Sequence, residues 1–413
     1  MLLLKKKEAG ASFPHRLVPA VCDVSVTNVC NATCDFCSYA YDKQLIKDKR
    51  WLDRADFARA LPILHRRGIR YLNFQGGEPL LHREICQLVA DVRAAGMRPA
   101  VITNGWMLPQ KIEGLISAGL GTLLVSIDSH SLAEHERNRG LQGVGERIRV
   151  GLATARRNGI PTLASVTVNR LVKYDRLPEL LRQLGFDAVT FSYPRLTPLG
   201  SSSMVFNADS ALIRFKTEEL VQALEAIRSL KKRFRVLNPI ASLEDIQRHV
   251  RGEKEQFGCV GGHKYFYLDW NLNIWRCEVW SKPLGSVFDL DHLPDCRDRC
   301  TACMMSCYRD TSVLMHAGMA VEDATNALAG GHLGEAARLL FRRSVARSLG
   351  SVLQQTGQIL ALAGKRHRRK APRAIEKNDF PARETEGTLH LSGGSKRDLP
   401  ASAVFPQGSA TNQ

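Results

Sequence analysis

The 413-residue sequence has no apolar stretch long enough to span a membrane as a helix. Its first seven residues are also unlike a secretory signal, because the apolar run is short and precedes the lysines. Acidic residues are scarce relative to basic ones, 41 against 58, so the formal net charge is +17. From the lack of a spanning stretch and of a signal-like pattern, we expect a cytoplasmic protein. Charge alone leaves nucleic acid, anionic lipid and acidic substrates open as partners.

A fourth cysteine is missing beside the triplet Cys30, Cys34 and Cys37; Cys22 and Cys86 are the nearest others, and we expect them to be ordinary buried thiols. Structural zinc sites normally use four protein ligands, and iron–sulfur clusters usually use four thiolates. A [4Fe-4S] cluster held by three thiolates leaves one iron open to an outside ligand, which is typical of a catalytic centre. The alternatives are a zinc knuckle or three unrelated buried cysteines.

Short β-like runs alternate with helical patterns from residue 22 onward, which predicts repeated βα units and a parallel sheet. Strands are predicted at residues 23–28, 70–75, 99–103, 122–128, 162–168 and 188–193. Helical patterns cover residues 53–68, 82–95, 144–158, 209–232 and 238–252, with a polar loop after the fourth strand. Six units favour an α/β fold of the partial (β/α)6 TIM-type over a closed eight-fold barrel.

Unusual residues follow these strands at the ends that meet on one face of such a sheet. The cysteine loop follows strand one, Gln75-Gly-Gly-Glu-Pro79 follows strand two, and Thr103-Asn-Gly105 follows strand three. Ser126-Ile-Asp128 ends strand four and Asn169 ends strand five. Two glycines let the backbone approach a ligand closely, and Glu78 adds a negative charge that suits an ammonium group. A simple tight turn is the alternative for this glycine stretch.

The C-x3-C-x2-C spacing, with Phe36 just before the last cysteine, resembles the signature of the radical S-adenosylmethionine (radical SAM) superfamily. The resemblance implies that Cys30, Cys34 and Cys37 hold a [4Fe-4S] cluster whose open iron binds S-adenosylmethionine. Reductive cleavage of that cofactor would release a 5′-deoxyadenosyl radical, with electrons from a flavodoxin- or ferredoxin-type donor. The residues that the resemblance assigns to cofactor binding are Phe36, Gly76, Gly77, Glu78, Asn104, Ser126 and Arg139.

The roles within this set differ. In the superfamily the Gly-Gly-Glu stretch contacts the cofactor's amino group, which carries over to Gly76, Gly77 and Glu78. Ser126 and Arg139 match a serine and an arginine that hold the ribose or the carboxylate, and the rigid fork of arginine suits a carboxylate. A solvated surface charge is the alternative for Arg139.

Six further cysteines fall between residues 259 and 307, a clustering that indicates metal binding and not a disulfide framework. A predicted β-hairpin at residues 265–277, followed by C-x2-C, resembles the SPASM and Twitch auxiliary-cluster modules. Leu272 stands where the hairpin turn usually has glycine, and the final spacing departs from SPASM. The resemblance implies one auxiliary [4Fe-4S] cluster, and zinc is the alternative. Its expected ligands are Cys259, Cys277, Cys300 and Cys303, with Cys296 and Cys307 as further candidates.

Beyond residue 310 the helical patterns continue to about residue 362, and a polar tail predicted to be disordered follows. Within residues 336–349, four apolar side chains can share a helical face flanked by arginines. The apolar residues are Leu339, Leu340, Val345 and Leu349, and the flanking ones are Arg338, Arg342, Arg343 and Arg347. With the basic run at residues 365–370, this pattern predicts peripheral membrane contact. A helix packed on the protein is the alternative.

The predicted organisation has five parts: an extension (1–19), a radical SAM core (20–235), an auxiliary-cluster region (236–310), a helical extension (311–364) and a basic tail (365–413). The predicted function is modification of a small molecule or lipid. The stretch Cys303-Met-Met-Ser-Cys307-Tyr308 also resembles the C-terminal cysteine region of hopene-adenosylating enzymes. The alternatives are a peptide-modifying radical SAM/SPASM maturase and, from another class, a zinc-dependent nucleic-acid-binding protein. We expect no nucleic-acid partner.

Overall fold

The computed structural model describes residues 18–37, 48–194, 210–278 and 280–367 of the chain. The first seven residues, nearly all of the Pro/Gly/Ser-rich stretch at 194–203 and the tail beyond residue 367 therefore lie outside the described part. Nine strands form one sheet. They are β1 (Ala20–Ser25), β2 (Ile69–Gln75), β3 (Arg98–Thr103), β4 (Thr122–Ser126), β5 (Thr162–Thr167), β6 (Ala188–Ser192), β7 (Tyr265–Leu268), β8 (Asn273–Trp275) and β9 (Gly285–Ser286).

The helices of the described ranges follow the strands of the barrel and then extend beyond them. They are α1 (Arg54–Arg66), α2 (Ile85–Ala94), α3 (Leu108–Ser117), α4 (Leu132–Arg139), α5 (Val144–Arg157), α6 (Leu177–Leu184), α7 (Thr217–Leu230), α8 (Ile240–Val250), α9 (Ser306–Ala329), α10 (Leu333–Leu340) and α11 (Arg343–His367). The strand order is β6-β5-β4-β3-β2-β1-β7-β8-β9. Strands β1 to β6 pair in parallel, as repeated βα units require.

The predicted α/β class and the six parallel strands are confirmed, with strand ends shifted by at most a few residues. The polar loop predicted after β4 is wrong, because α4 forms there. This helix is charged on nearly every side, so it lacks the apolar stripe that reveals a helix in a sequence. The helix predicted to begin at residue 209 begins at Thr217, where the Glu219 carboxylate accepts from the Lys216 N–H at 2.8 Å.

Alternate residues of the strands face two different environments. Leu123 and Val125 of β4 and Val166 of β5 are fully or almost fully buried in the hydrophobic core beneath the helices. The opposite face points into the barrel and is more polar. Ser126 pairs in register with Ser165, and Ser165 pairs with Thr190. This face therefore carries a row of half-buried hydroxyl groups, next to a row formed by the half-buried Ile102, Leu124 and Leu163, which also pair in register.

The predicted hairpin forms from β7 and β8, which pair in an antiparallel manner. It does not make a separate sheet, however, because β7 adds to the barrel edge in parallel with β1. The Tyr265 and Tyr267 hydroxyls of β7 then donate to Asp23 and Ser25 on the inner face of β1, at 3.0 and 2.7 Å. The cysteine-rich region is thus joined to the barrel through a continuous sheet.

The start of α9 connects the two edges of the open barrel. On one side, the Tyr193 N–H at the end of β6 donates to Ser306 Oγ at 2.7 Å. On the other side, the Tyr308 ring packs on Tyr265 of β7, with 4.2 Å between ring centroids. The residues between Cys303 and Tyr308 therefore bridge the gap that six strands leave in the barrel wall.

The stretch at residues 336–349 is not one helix. It divides between α10 and α11, with Phe341 at the break, so its leucines do not share a face. Val345 is buried against Ala317 and Ala320 of α9, whereas Leu340 and Leu349 are exposed on different helices. The predicted single amphipathic face is therefore wrong.

The start of α11 packs on the body of the protein instead. Arg347 forms an ion pair with Glu244 of α8, and Ser348 Oγ accepts from the Ala317 N–H of α9 at 2.9 Å. Across the described residues, no helix combines the length and the apolar character needed to cross a bilayer.

The turn between β7 and β8 explains why Leu272 is an unusual choice there. Leu272 has a φ of +62°, in the left-handed region that favours glycine. Its side chain is nevertheless buried, only 6% exposed. The Asp269 carboxylate fixes the turn by accepting from the Asn273 N–H and from Trp275 Nε1, both at 2.9 Å. The turn thus keeps an apolar anchor at the cost of backbone strain.

The strain in this turn predicts the relative stability of two variants at position 272. Replacing Leu272 with alanine should destabilise the protein by about 2–5 kcal/mol, because a buried leucine is lost and the strain remains. Leu272→Gly should be the more stable of the two variants by about 1 kcal/mol, because glycine relieves the strain. Anaerobic thermal unfolding of both variants measures the order.

The same two substitutions at Leu268 provide the control, since this buried β7 residue is not among those with positive φ. There alanine should be more stable than glycine. The account of the turn fails if the alanine variant is also the more stable one at position 272.

Candidate active site

The cysteine loop follows β1 and rests against the Gly76–Gly77 backbone that follows β2. The N–H groups of Gly77 and Glu78 donate to the carbonyls of Thr27 and Val29, at 2.9 and 2.8 Å. A Cβ atom at Gly77 would lie 2.1 Å from the Val29 carbonyl oxygen, and one at Gly76 would lie 2.5 Å from that of Thr27. Both contacts are with backbone, which cannot move aside cheaply. Two glycines are therefore required for the loop to sit here.

Glu78 is buried, and its carboxylate joins the ends of β2 and β3. One oxygen accepts from the Thr103 hydroxyl at 2.6 Å and from the Leu80 N–H at 3.0 Å, and the other accepts from the Asn104 N–H at 2.7 Å. Burial raises the pKa of Glu78, and these donors offset part of that rise. In this arrangement the carboxylate fixes the strand ends. Its assignment to the cofactor's amino group stays a prediction.

Asn104 extends this connection to the cysteine loop. Its Nδ2 donates to Asn31 Oδ1 at 2.7 Å, and its Oδ1 accepts from the Trp106 N–H at 2.9 Å. Asn31 lies next to Cys30, so the end of β3 holds the loop directly. The sequence argument placed Asn104 at this face but did not identify Asn31 as its partner.

Arg139 holds the loop from the opposite side. Its carbonyl accepts from the Thr33 N–H at 2.8 Å, and its Nη2 donates to Asp128 Oδ1 at 2.7 Å. The residue is only 7% exposed, so the alternative of a solvated surface charge is wrong. Burial alone would lower the pKa of Arg139, but the Asp128 carboxylate outweighs burial and raises it. Arg139 is therefore a fixed, buried cation beside the cysteines.

The Asp128–Arg139 pair is completed by His135. The Asp128 N–H donates to His135 Nδ1 at 3.2 Å, which places the imidazole proton on Nε2. Burial lowers the pKa of His135 to about 4, so the ring is neutral at physiological pH. Burial would raise the pKa of Asp128, but Arg139 and then His135 outweigh it, and the carboxyl stays ionised. The site thus keeps one cation and one anion paired beneath the loop.

The three cysteines of the loop differ in exposure. Cys34 is buried, whereas Cys30 and Cys37 are half-buried. Burial raises the pKa of the Cys34 thiol, and the charge of Arg139 offsets part of that rise. A buried thiolate is the form that binds metal, and a neighbouring cation stabilises it. Arg139 Nε also has no hydrogen-bond partner among the described residues. Three thiols beside this unsatisfied buried donor fit an anionic cluster.

The remaining predicted residues also lie on this face of the sheet. Phe36 is half-buried within the loop, and Ser126 is half-buried on the inner wall. Asn169 Nδ2 donates to the Asp128 carbonyl at 3.0 Å, which ties the end of β5 to that of β4. The structure brings these residues together, and their individual roles toward a cofactor stay predictions.

A second group of cysteines lines a cavity beside β7 and α9. Its lining residues include the four cysteines expected as auxiliary ligands, Cys259, Cys277, Cys300 and Cys303. Cys296 and Cys307 are not among the lining residues. Cys296 lies next to Gly262, and Cys307 is at the start of α9. One cavity thus brings four of the six candidates together, and which cysteines bind a cluster stays a prediction.

The chemistry of this cavity suits a cluster. The cavity is narrow, about 20 Å³, and four thiols are among its lining side chains. Four thiolates are the usual ligand set of an iron–sulfur cluster. Zinc held by the same thiolates stays the alternative.

Two buried arginines, which the sequence argument missed, also line the cavity, Arg276 and Arg309. Arg276 is paired with Asp298 at 2.6 Å and lies 4.8 Å from the Trp280 ring centroid. Arg309 is 1% exposed. In the sequence, both resemble ordinary surface arginines, and only the fold shows that they are buried.

A partial parallel barrel that carries a three-thiol loop at its strand ends defines an iron–sulfur enzyme of the α/β-barrel class. Comparison with known proteins gives the family. Residues 24–184 match the model of the Radical SAM superfamily. This part of the chain is a radical SAM domain, and the match supports an enzyme whose substrate it does not fix. The cysteine-rich C-terminal region is SPASM/Twitch-like.

Named relatives share part of their length with this chain. GTP 3′,8-cyclase of Stenotrophomonas maltophilia (strain R551-3) is 29% identical over 222 residues, which cover 52% of this chain and 64% of that protein. PqqA peptide cyclase of Gluconobacter oxydans (strain 621H) is 29% identical over 209 residues, covering 49% of this chain and 56% of that protein. The chain thus spans less than two thirds of either relative.

A similar fold occurs in the crystal structure of Streptococcus suis SuiB. The TM-score is 0.50 at 14% sequence identity, with 67% of this chain and 65% of that chain covered. At this level of identity the likeness concerns the fold alone.

The contact between the loop and the glycines makes a prediction. Gly77→Ala would place a Cβ atom 2.1 Å from the Val29 carbonyl oxygen, so the cysteine loop must shift. We expect the variant to fold but to bind up to about four fewer irons per chain than the wild type. Iron and sulfide analysis after anaerobic reconstitution measures the loss.

Gly334→Ala is the matched control, because a Cβ atom at Gly334 of α10 would meet nothing within 4 Å. This variant should bind as much iron as the wild type. Wild-type iron content in the Gly77→Ala protein would contradict the proposed contact.

Proposed function

We propose that the protein reductively cleaves S-adenosylmethionine at a [4Fe-4S] cluster held by Cys30, Cys34 and Cys37. The observation that carries the proposal is a loop of only three thiols, locked at the strand ends by Gly77, Glu78 and Arg139. When bound, the cluster and cofactor would supply a 5′-deoxyadenosyl radical. An electron donor of the flavodoxin or ferredoxin type would deliver the reducing electron.

The chain's own residues fix the loop and control its electrostatics. Arg139 places a positive charge beside Cys34, which favours the thiolate over the thiol. Asp128 holds that arginine in place, and the neutral His135 holds Asp128. These buried contacts favour one loop geometry, because breaking any of them would leave a buried polar group without a hydrogen-bond partner.

The substrate that we propose is a polar small molecule. The inner wall offers Ser126, Ser165, Thr190, Thr167 and Ser192 as hydrogen-bonding groups, all half-buried on one face. Such a wall suits a substrate with many donors and acceptors, since these hydroxyls need partners when water is displaced.

Acidic groups occupy the wall formed by β1 and the hairpin. Asp23 is 3% exposed and Glu278 is 7% exposed, and Gln75 Nε2 donates to Glu278 at 3.0 Å. Burial and then the charge of Glu278 raise the pKa of Asp23 to about 8, so the pair holds a proton near neutral pH. The lipid substrate loses support because α11 packs on α9 and α8.

A peptide substrate is the second candidate. One relative of this chain is named PqqA peptide cyclase, a name that refers to a peptide. Another is named GTP 3′,8-cyclase, a name that refers to the small molecule GTP. The polar inner wall suits either, since a peptide also presents amide donors and acceptors. Peripheral membrane contact stays a proposal that rests on the basic run at residues 365–370, and a cytoplasmic location stays a proposal as well.

We also propose one auxiliary [4Fe-4S] cluster, held by Cys259, Cys277, Cys300 and Cys303. Four protein thiolates would leave none of its irons open. Such a cluster could store or relay an electron but would offer no coordination position to a substrate. Its place next to the barrel gap bridged by α9 supports a role close to the substrate chamber.

The proposal is tested by single cysteine substitutions. Reductive cleavage of S-adenosylmethionine to 5′-deoxyadenosine should fall to background in Cys30→Ala, Cys34→Ala and Cys37→Ala, because each removes a thiolate that nothing nearby replaces. Anaerobic cleavage assays with a chemical reductant measure this. Cys86→Ala is the control and should retain wild-type cleavage, since Cys86 lies on α2, outside the loop. Cleavage retained by Cys34→Ala would refute the assignment.

A further inference from the structure

The auxiliary cavity contains a buried positive charge that is incompletely satisfied. Arg309, near the start of α9, is 1% exposed and lines the cavity together with the four expected ligands. Its Nη1 donates to the Phe257 carbonyl and its Nε lies 2.8 Å from Met304 Sδ. Its Nη2 has no hydrogen-bond partner among the described residues. The guanidinium group of Arg309 is thus fixed through Nη1 and Nε, and its Nη2 has no acceptor among the described residues.

An unsatisfied donor on a buried cation is costly. Leaving a buried polar group without a partner costs about 1–3 kcal/mol, and more when the group is charged. The two contacts that fix the guanidinium are with a neutral carbonyl and a thioether, which do not neutralise it. The charge of Arg309 acts to lower the pKa of Asp245, which burial raises on balance, and that of Glu255. Neither carboxylate accepts from Nη2. A negatively charged hydrogen-bond acceptor in the cavity would offset the cost of the unpaired Nη2.

Arg276 provides an internal comparison. It lines the same cavity, but its guanidinium donates to both carboxylate oxygens of Asp298. Its charge is therefore compensated within the protein, and its plane stacks on Trp280. Arg309 alone keeps a donor for whatever the thiols hold.

We propose that Arg309 is a positioning residue of the auxiliary cluster, donating its Nη2 proton to a cluster or cysteine sulfur and raising the cluster's reduction potential. This inference rests on the auxiliary cluster proposed above. A cluster bound by four thiolates is an anion and gains one more negative charge on reduction. Nearby positive charge and hydrogen bonds to sulfur both stabilise the reduced form more than the oxidised form.

The test uses the full chain with Cys30, Cys34 and Cys37 all replaced by alanine, so that only the auxiliary cluster remains. This parent should retain about four irons per chain. Redox titration monitored by electron paramagnetic resonance then gives the midpoint potential. Arg309→Gln, which keeps an amide donor but removes the charge, should shift the potential to a more negative value. Arg309→Lys, which keeps the charge, should shift it less.

Arg66→Gln is the matched control, because Arg66 is a half-exposed arginine of α1 paired with Asp291 and absent from the cavity. Its potential should equal that of the parent. A second measurement detects the contact itself and does not depend on the potential. The parent labelled with ¹⁵N-arginine should show weak nitrogen coupling to the reduced cluster in pulsed resonance spectra, and Arg309→Lys should lose it.

The outcomes separate the two proposals. A parent that holds iron, shows no arginine coupling and keeps its potential in Arg309→Gln would overturn the role of Arg309 but leave the cluster in place. A parent without iron would overturn the auxiliary cluster and this inference together. Neither result would bear on cofactor cleavage by the wild-type protein, which depends on the N-terminal cysteines.

Discussion

The contact between two backbone segments determines the geometry of the candidate active site. The segment from Thr27 to Cys30 lies against Gly76 and Gly77, so closely that a methyl group at Gly77 would overlap the Val29 carbonyl. This contact exists because β1 and β2 are parallel neighbours, whose carboxyl ends lie side by side. The three cysteines are then presented from a loop that the sheet itself supports.

The charges around the loop follow from the same constraint. Once the loop is pressed onto the strand ends, little water reaches its underside, and the polar groups there must satisfy one another. Glu78 accepts three hydrogen bonds from the end of β3 and its own turn. Arg139 and Asp128 neutralise each other beside Cys34. Removing one partner of this buried pair would leave an uncompensated charge, which is far more costly than losing a surface ion pair.

The auxiliary region repeats this logic at the other edge of the barrel. Its hairpin extends the barrel sheet through β7, so the second set of cysteines is positioned by the same sheet as the first. The segment that leads into α9 carries Cys303, and the first turn of α9 carries Tyr308, across the gap between β6 and β7. The two cysteine sets are therefore parts of one framework.

Much of this architecture could be predicted from the sequence, because local patterns encode it. Alternating β-like and helical runs gave the six strands, and the short spacings of the cysteines gave both cysteine sets. Even the strained turn was visible, since Leu272 stood where glycine was expected and indeed has a positive φ. What could not be predicted depends on contacts between distant residues. The pairing of β7 with β1, the burial of Arg139 and the unused donor of Arg309 have no local signal.

Two errors have a simpler origin. Helix α4 was missed because its charges surround it, and periodicity reveals only helices with an apolar stripe. Residues 336–349 do have apolar and basic residues at helical spacing, but the structure divides this stretch into two helices at Phe341. A helical wheel assumes one continuous helix, so it could not detect that its leucines belong to two.

The central claim is that the Cys30, Cys34 and Cys37 loop holds a four-iron cluster with one iron open to S-adenosylmethionine. Mössbauer spectroscopy of protein reconstituted with ⁵⁷Fe, recorded with and without saturating S-adenosylmethionine, tests it most directly. With both clusters present, we expect the cofactor to change the signal of about one iron in eight and leave the rest unaltered. Identical spectra in its presence and absence, or a protein that binds zinc in place of iron, would contradict the account.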